Sequence, residues 1–292
     1  MRLERGILLF VAILALASCK PPRRAEGRDP SRGPSTLTIK GSDTMVMLAQ
    51  RQAEAFMEKN PGVSVQVTGG GSGTGIAALI NGTTEIATAS RPMKASEKAQ
   101  VEERRGRPAV EHAVALDGIA IYVHESNPVP HLTLDQIKRI YEGRIRDWSE
   151  VGGSPGRITL YSRENSSGTY AYFKEAVLED EDFDPRTQPL PGTAAVVNAI
   201  ARDPRGIGFG GIAYGGGVRA LPVKKDESSE AVVPSLETVT AGTYPISRKL
   251  FMYTAGEPTG LAAQFLEFAL SPEGQQLAEK AGYYPLRPTN RE

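Results

Sequence analysis

The sequence has 292 residues, of which 40% are hydrophobic and 23% are charged, a composition typical of a soluble globular protein. Lysine plus arginine and aspartate plus glutamate both number 34, so the net charge gives no indication of a nucleic-acid partner. A site for an anion would therefore depend on local geometry and not on a positive field over the whole molecule.

The first residues have the pattern of an export signal. Two arginines precede the apolar run 7–17, which has about the length of a signal-peptide core and is too short to span a bilayer. The run ends near Cys19, the single cysteine of the chain, and this spacing resembles bacterial lipoprotein signals. We predict a signal peptide over 1–18, a palmitate-type lipid anchor on Cys19 and a disordered tether over 19–36. Secretion without an anchor is the alternative.

From Leu37 onward, predicted strands and helices alternate, which indicates an α/β fold with mainly parallel pairing. Three of these strands, at 36–40, 63–68 and 158–162, run into a Gly/Ser/Thr-rich segment that begins a helix. We call these segments the first turn (41–44), the second turn (69–75) and the third turn (165–169). Free N–H groups at a helix start and nearby hydroxyls both bind anions, so three such turns suggest one oxyanion held from several sides.

An apolar stretch at 112–124 is interrupted by Asp117-Gly118. A charged, unpaired aspartate in a buried strand costs several kcal/mol. The pair is therefore either a local turn between two strands or a carboxylate facing a cleft where the chain crosses between lobes. A second apolar strand is predicted at 249–254, and we interpret the two stretches as connections between lobes.

The predicted lobes are discontinuous in sequence. Lobe 1 comprises residues 37–119 plus 246–292, and lobe 2 comprises residues 120–245. Helices predicted at 261–270 and 272–281 would return to pack on lobe 1.

Catalytic and cofactor motifs are poorly represented. The second turn lacks the Lys-Ser/Thr ending of a phosphate loop and the final glycine of a nucleophile elbow. The glycine-rich segment 208–213 leads into more glycines and not into a helix, which argues against a dinucleotide site. His112, His124 and His131 show no metal-ligand spacing. We therefore expect no enzyme, no cofactor and no metal.

Arg163 ends the strand that precedes the third turn. From there its guanidinium could reach over the helix start that Ser167, Gly168 and Thr169 form, adding a bidentate donor for an oxyanion. The alternative is a surface arginine paired with Glu164 or Glu175.

As an ordered set, these motifs resemble the shorter branch of the phosphate-binding lipoproteins of bacterial phosphate ABC transporters. The resemblance covers essentially the whole chain after Cys19. It rests on Gly41-Ser42-Asp43-Thr44-Met45, on 69–76, on Ala87-Thr88-Ala89-Ser90-Arg91, on Asp117-Gly118-Ile119-Ala120, on 163–170 and on Gly206-Ile207-Gly208-Phe209. It implies a two-lobed periplasmic-binding-protein fold of type II that closes over one phosphate by a hinge motion. It also implies transmembrane permease subunits as partners and a monomer attached to the membrane by its lipid.

The resemblance also implies a set of ligand-binding residues. The predicted set is Ser42, Thr44, Ser72, Ser90, Arg91, Asp117, Arg163, Ser167, Gly168 and Thr169. One position departs from the family, because better-known members carry an aspartate at the position of Arg91, where it accepts the proton of hydrogen phosphate. We expect Asp117 to replace it, and Asp43 either to do so or to cap the first helix. Arg91 either contacts the ligand or pairs with a carboxylate at the cleft rim.

The expected function is capture of inorganic phosphate for an ABC transporter. One alternative keeps the fold and changes the anion to sulfate, molybdate or tungstate. Another is a phosphoester hydrolase using Ser72 or Ser167, and a third is an adhesive or signalling lipoprotein with a vestigial site.

Overall fold

The computed structural model describes residues 35–286, so the predicted signal peptide, Cys19 and most of the tether lie outside the described residues. The strands are β1 (Ser35–Gly41), β2 (Val63–Thr68), β3 (Ile86–Ala89), β4 (Ala109–Val123), β5 (Leu132–Thr133), β6 (Thr159–Arg163), β7 (Gln188–Leu190), β8 (Gly206–Gly211), β9 (Arg219–Leu221), β10 (Val223–Lys224) and β11 (Ser247–Ala255). The helices are α1 (Val46–Lys59), α2 (Ser72–Asn81), α3 (Ala95–Arg105), α4 (Leu134–Tyr141), α5 (Gly168–Ala176), α6 (Gly192–Ile200), α7 (Leu236–Thr240), α8 (Gly260–Leu270) and α9 (Pro272–Lys280). None of the helices within 35–286 is both long and apolar enough to cross a membrane.

Most strands belong to one mixed sheet in the order β2-β1-β3-β11-β4-β8-β6-β7, with β9 also paired to β4. β1 runs parallel to β2 and β3, and β6 runs parallel to β7 and β8. β11 is antiparallel to both β3 and β4, and β4 is antiparallel to β8 and β9. The α/β class is therefore confirmed, but the pairing is mixed, because β4 and β11 run antiparallel to their neighbours.

β4 is one continuous strand that changes partner in its middle. Residues 109–118 pair with β11, whereas residues 119–123 pair with β8. The expectation of a local turn at Asp117-Gly118 is therefore wrong. A Cβ at Gly118 would lie 3.1 Å from a Val239 methyl carbon, so the glycine lets α7 approach the strand at this point.

Two large apolar clusters form on either side of this partner change. The fully buried members of one cluster come from residues 37–115 and 250–283, and include Phe56 and Phe265 in edge-to-face contact. Those of the other come from residues 119–246, together with Tyr284. In that second cluster, the rings of Phe173 and Phe209 stack with centroids 3.8 Å apart.

Candidate functional site

The three turns predicted to bind an anion meet in the folded chain. The backbone N–H of Gly73 in the second turn donates to the carbonyl of Ser166 in the third turn at 2.9 Å. The hydroxyls of Thr44, in the first turn, and Thr169, in the third, lie 2.9 Å apart. A Cβ at Gly168 would lie only 2.3 Å from Ser72 Oγ, so the start of α5 packs directly against the start of α2.

Glycines permit this close approach. Gly71 has φ +90°, a conformation that other residues rarely adopt, and a Cβ there would lie 2.6 Å from the carbonyl oxygen of Ser166. At Gly41 a Cβ would lie 2.1 Å from the Thr88 carbonyl oxygen, and the next amide, of Ser42, donates to that same carbonyl at 3.0 Å. The small residues of the first and second turns therefore bring backbone and hydroxyl groups together.

The residues at the meeting point of the three turns are called the cluster below. Several of its hydroxyls already accept a hydrogen bond from protein N–H groups. Ser72 Oγ accepts from the Ser90 backbone N–H at 3.0 Å. Ser167 Oγ caps α5 and accepts from the Thr169 backbone N–H at 3.2 Å. Thr169 Oγ1 accepts from Arg248 Nη2 at 2.9 Å. A hydroxyl whose oxygen is engaged in this way keeps its own proton for donation, so the cluster favours a partner rich in acceptor oxygens.

The remaining serines of the predicted set are also buried in the cluster. Ser90 Oγ lies 3.4 Å from Ser72 Oγ and would lie 2.8 Å from a Cβ at Gly168. Ser42 is 2% exposed and precedes the short 3-10 helix Asp43–Met45. Ser90 therefore lies where the starts of α2 and α5 meet, and Ser42 is buried in the first turn.

Arg163 is fully buried and joins the first turn to the end of β6. Its Nη2 donates to Asp43 Oδ2 at 2.9 Å, and its Nη1 donates to Thr193 Oγ1 at 2.8 Å. Its Nε has no hydrogen-bond partner within residues 35–286. Burial lowers the pKa of Arg163, and the Asp43 charge opposes that shift. The guanidinium is held at the cluster by Asp43 and not at the surface by a glutamate.

Asp43 ties two turns together. Besides the bond to Arg163, its Oδ1 accepts from the Gly70 backbone N–H at 2.7 Å. Tyr214 and Tyr283 support the same turn, because their hydroxyls donate to the backbone carbonyls of Asp43 and Thr44. From its sequence, Asp43 was expected either to accept the phosphate proton or to cap the first helix. Its carboxylate bridges to the second turn and to Arg163 instead of capping the helix.

A second buried ion pair, which sequence analysis missed, lies where β4 changes partner. Nε and Nη2 of Arg248 donate to Asp117 Oδ2 at 3.1 and 2.8 Å. Nη1 of Arg248 donates to the Ser90 carbonyl at 2.8 Å. The side chains of Arg248 and Asp117 are 1% and 0% exposed, so the aspartate that interrupts the apolar stretch is a paired, buried carboxylate.

Only one oxygen of Asp117 is used by this pair. No described residue donates a hydrogen bond of normal geometry to Oδ1. Burial raises the pKa of Asp117, whereas Arg248 and, more weakly, the nearby backbone amide of Ile212 act in the opposite direction. A buried carboxylate oxygen without a donor is unfavourable, so Oδ1 is suited to accept a proton from a bound group.

The guanidinium of Arg91 pairs with a glutamate outside the three turns. Its Nη1 and Nη2 donate to the two carboxylate oxygens of Glu97 at 2.8 and 2.7 Å, and Nη1 also donates to the Pro92 carbonyl. Of the two expectations for this residue, the structure places the guanidinium on a carboxylate. Both ends of the fork are therefore occupied by α3.

Two of the histidines have partners outside the three turns. His112 Nε2 bonds to Thr254 Oγ1 at 3.2 Å, and His124 Nδ1 bonds to Ser126 Oγ at 2.8 Å on the surface. Across the described part of the chain, no group of three or more His, Cys, Asp or Glu residues is arranged to hold a metal ion.

Known proteins are similar in sequence to this chain over most of its length. A family model described as "PBP superfamily domain" matches residues 25–273. Phosphate-binding protein PstS of Pseudomonas aeruginosa is 34% identical, covering 98% of this chain and 96% of that protein. Phosphate-binding protein PstS of Bacillus subtilis is 35% identical, covering 90% of this chain and 84% of that protein.

Solved structures share the fold. A putative phosphate ABC transporter substrate-binding protein from Clostridium perfringens, solved with bound phosphate, aligns with a TM-score of 0.78 at 33% identity and covers 87% of this chain and 100% of that one. An ABC-type phosphate transport receptor from Vibrio cholerae aligns with a TM-score of 0.69 at 27% identity and covers 86% of this chain and 100% of that one. The predicted type II periplasmic-binding-protein fold is confirmed. The chain belongs to the PBP superfamily and, within it, to the family of PstS-like phosphate-binding proteins.

Proposed function

We propose that this protein captures inorganic phosphate outside the cytoplasm and delivers it to the membrane-spanning subunits of an ABC transporter. The observation that carries the proposal is the meeting of three turns, in two of which the hydroxyl oxygens of Ser72, Ser167 and Thr169 already accept protein N–H groups. Such a cluster donates hydrogen bonds to an oxyanion from several sides, and the buried Arg163 adds an Nε–H donor that has no partner within residues 35–286.

The proposed ligand-binding set is narrower than the one expected from sequence. It comprises Ser42, Thr44, Ser72, Ser90, Asp117, Arg163, Ser167, Gly168 and Thr169. We leave out Arg91, because Glu97 engages both ends of its guanidinium. Asp117 Oδ1 is assigned as the acceptor of the phosphate proton, which favours hydrogen phosphate over the unprotonated sulfate.

We also propose that the two lobes, 37–119 plus 246–292 and 120–245, close over the anion by a hinge motion. The partner change in β4 between Gly118 and Ile119 supports this boundary, as does the separation of the two apolar clusters. The contacts between Thr44 and Thr169 and between Gly73 and Ser166 would then form only in the closed state, so ligand binding would shift the population toward it.

The chain is proposed to be a monomeric lipoprotein. The support for the lipid anchor is the sequence alone: a signal-peptide pattern over residues 1–18 and Cys19 at its end. Exchange of Cys19 for serine should release the protein from the membrane fraction. Retention of the C19S protein in membranes would contradict the anchor.

The family consists of solute-binding proteins and not of enzymes, and we extend that to this chain. The hydroxyl of Ser72 accepts from a backbone amide, and that of Ser167 caps a helix, neither of which activates a nucleophile. Release of product from a chromogenic phosphoester, lost in the S72A or S167A variant, would instead support the hydrolase alternative.

The test of the proposed function is calorimetric titration of the purified protein with phosphate, followed by competition with sulfate, molybdate and tungstate. We expect phosphate to bind and the other three anions to fail to displace it at equal concentration. Preferential binding of one of the three would change the assigned anion, and binding of none of the four would favour a vestigial site.

A further inference from the structure

Arg248 is fixed in place from three directions. It stands directly opposite Asp117 in the register of β11 and β4. Two of its N–H groups donate to Asp117 Oδ2 and one donates to the Ser90 carbonyl. Tyr172 covers the guanidinium, with the ring centroid 5.6 Å from Cζ. Because a guanidinium is a rigid planar fork, these contacts also fix the direction of its remaining N–H bonds.

A further hydrogen bond of this fork reaches the third turn. Nη2 of Arg248 donates to Thr169 Oγ1 at 2.9 Å, and the other neighbour of that oxygen is Thr44 Oγ1 at 2.9 Å. A hydroxyl carries one proton and two acceptor positions. With one acceptor position held by Arg248, the proton of Thr169 is directed away from the guanidinium and toward the meeting point of the turns.

Thr169 differs from Ser72 and Ser167 in the donor of the hydrogen bond that its hydroxyl oxygen accepts. Ser72 and Ser167 receive the equivalent bond from backbone N–H groups, which the fold fixes. Thr169 receives it from a side chain. We propose that Arg248 is a positioning residue for phosphate, acting through the Thr169 hydroxyl, which it holds as a hydrogen-bond donor toward the anion. The inference rests on the proposed phosphate-binding function and adds to it a residue that lies outside the assigned ligand-binding set.

The competing role for Arg248 is charge neutralisation of Asp117 alone. Lysine would meet that role, because it keeps the positive charge. Lysine cannot reproduce the planar fork that reaches Asp117, the Ser90 carbonyl and Thr169 together. The R248K variant therefore separates the two roles.

The experiment is a double-mutant cycle on phosphate affinity, measured by calorimetry on the full chain in four forms: wild type, R248K, T169V and R248K/T169V. We expect R248K to weaken phosphate binding about tenfold in the wild-type background and less than about twofold in the T169V background. Valine keeps the shape of threonine and removes the hydroxyl through which Arg248 is proposed to act. Arg219, which donates to the Asn127 and Val129 carbonyls, provides the control, and R219K should leave phosphate affinity unchanged.

The outcomes distinguish failure of the proposed Arg248 role from failure of the proposed phosphate-binding function. Equal loss in both backgrounds, or no loss in either, would overturn the role of Arg248 while phosphate binding by the wild type stands. Absence of phosphate binding by the wild type would overturn the proposed function, and this inference with it.

A second comparison covers the case in which R248K does not fold. The variants D117N/R248Q and D117N/R248M both lack the buried charges, and only the glutamine can donate to Thr169. We expect the glutamine variant to bind phosphate about threefold more tightly than the methionine variant, a difference that T169V abolishes. Equal affinities would overturn the inference.

Discussion

The two buried arginines of the site differ in what they leave unused. The guanidinium nitrogens of Arg248 donate to Asp117, to the Ser90 carbonyl and to Thr169, whereas Arg163 retains an Nε–H group without a partner in the described chain. An unpaired donor on a buried cation is unfavourable in the absence of an acceptor. Arg163 is therefore the better candidate for direct contact with an anion.

The first prediction concerns Arg163. The R163A variant should weaken phosphate binding by more than about tenfold, or about 1.4 kcal/mol, because a charge-assisted donor is lost. It also leaves the Asp43 carboxylate, 2.9 Å away in the wild type, uncompensated next to an incoming anion. Calorimetry measures the change, with R219A as a control at an arginine that donates to the Asn127 and Val129 carbonyls and to none of the turns. Unchanged phosphate affinity in a folded R163A protein would remove Arg163 from the site.

The second prediction concerns selectivity. In the D117N variant the amide oxygen can still accept from Arg248, which places an NH₂ donor where Oδ1 stood. A donor at this position would repel the proton of hydrogen phosphate, whereas it could donate to an unprotonated oxygen of sulfate. We expect phosphate affinity to fall about tenfold and sulfate affinity to stay equal or rise. Paired titrations with the two anions measure this, and unchanged affinity for both would show that Asp117 does not accept the ligand proton.

Single residues were predictable from sequence where the local pattern was unusual. Asp117 interrupts an apolar stretch, and Ser167 precedes a helix start, so both were assigned to the site from their context. Arg248 sits beside Lys249 at the start of an apolar strand, and two adjacent basic residues look like a solvated strand end. Only the pairing of β11 with β4 reveals that one of them faces Asp117.

At the scale of the elements, the starts of α2 and α5 are in direct contact. A Cβ on Gly168 would lie 2.3 Å from Ser72 Oγ and 2.8 Å from Ser90 Oγ. Gly168 does not have a positive φ, so alanine would fit the backbone of α5 itself. Glycine is needed at position 168 because of the contact with the start of α2 and not because of the backbone conformation of α5.

The third prediction follows from this contact. The G168A variant should bind phosphate at least about tenfold more weakly, because the two helix starts must separate, while its stability changes by less than about 1 kcal/mol. Urea unfolding and calorimetry measure the two quantities. G216A serves as the control, because a Cβ at Gly216 would meet nothing within 4 Å. A G168A protein with wild-type affinity would show that close packing of these turns is unnecessary for binding.

Most elements were predictable from sequence because their apolar spacing is local. The strand predicted at 63–68 matches β2, and the helix predicted at 261–270 differs from α8 by one residue. Strand pairing was less predictable, since mainly parallel pairing was expected and β11 lies antiparallel between β3 and β4. Strand order depends on contacts between residues far apart in the chain, which periodicity does not encode.

For the whole molecule, Asp184 provides a test of acid stability. It is buried next to Arg186, whose hydrogen bonds lower the pKa of Asp184 from 3.8 to about 2. A carboxyl group with a lowered pKa in the folded state stabilises the fold above its unfolded pKa, and this contribution is lost as the pH falls through the folded pKa.

The fourth prediction is therefore a pH-dependent loss in the D184N variant. Relative to wild type, the variant should be less stable by about 1 to 2 kcal/mol at pH 6, and this difference should shrink as the pH falls from about 4 toward about 2. Urea unfolding across this range gives the free energies, with D135N as a control at a side chain that is 72% exposed. A difference that is constant with pH would mean that the Asp184 charge does not contribute.

The position of β11 also has a consequence for the order of folding. Residues 247–255 form the last strand of the described residues, yet they lie between β3 and β4 in the sheet. Until they have been synthesised, β3 and the first half of β4 lack a shared partner, and the apolar cluster around them lacks Leu250 and Phe265. The N-terminal part of the chain thus cannot complete its sheet during most of translation. For a chain with the export signal proposed above, this delay would help to keep the polypeptide unfolded while it crosses the membrane.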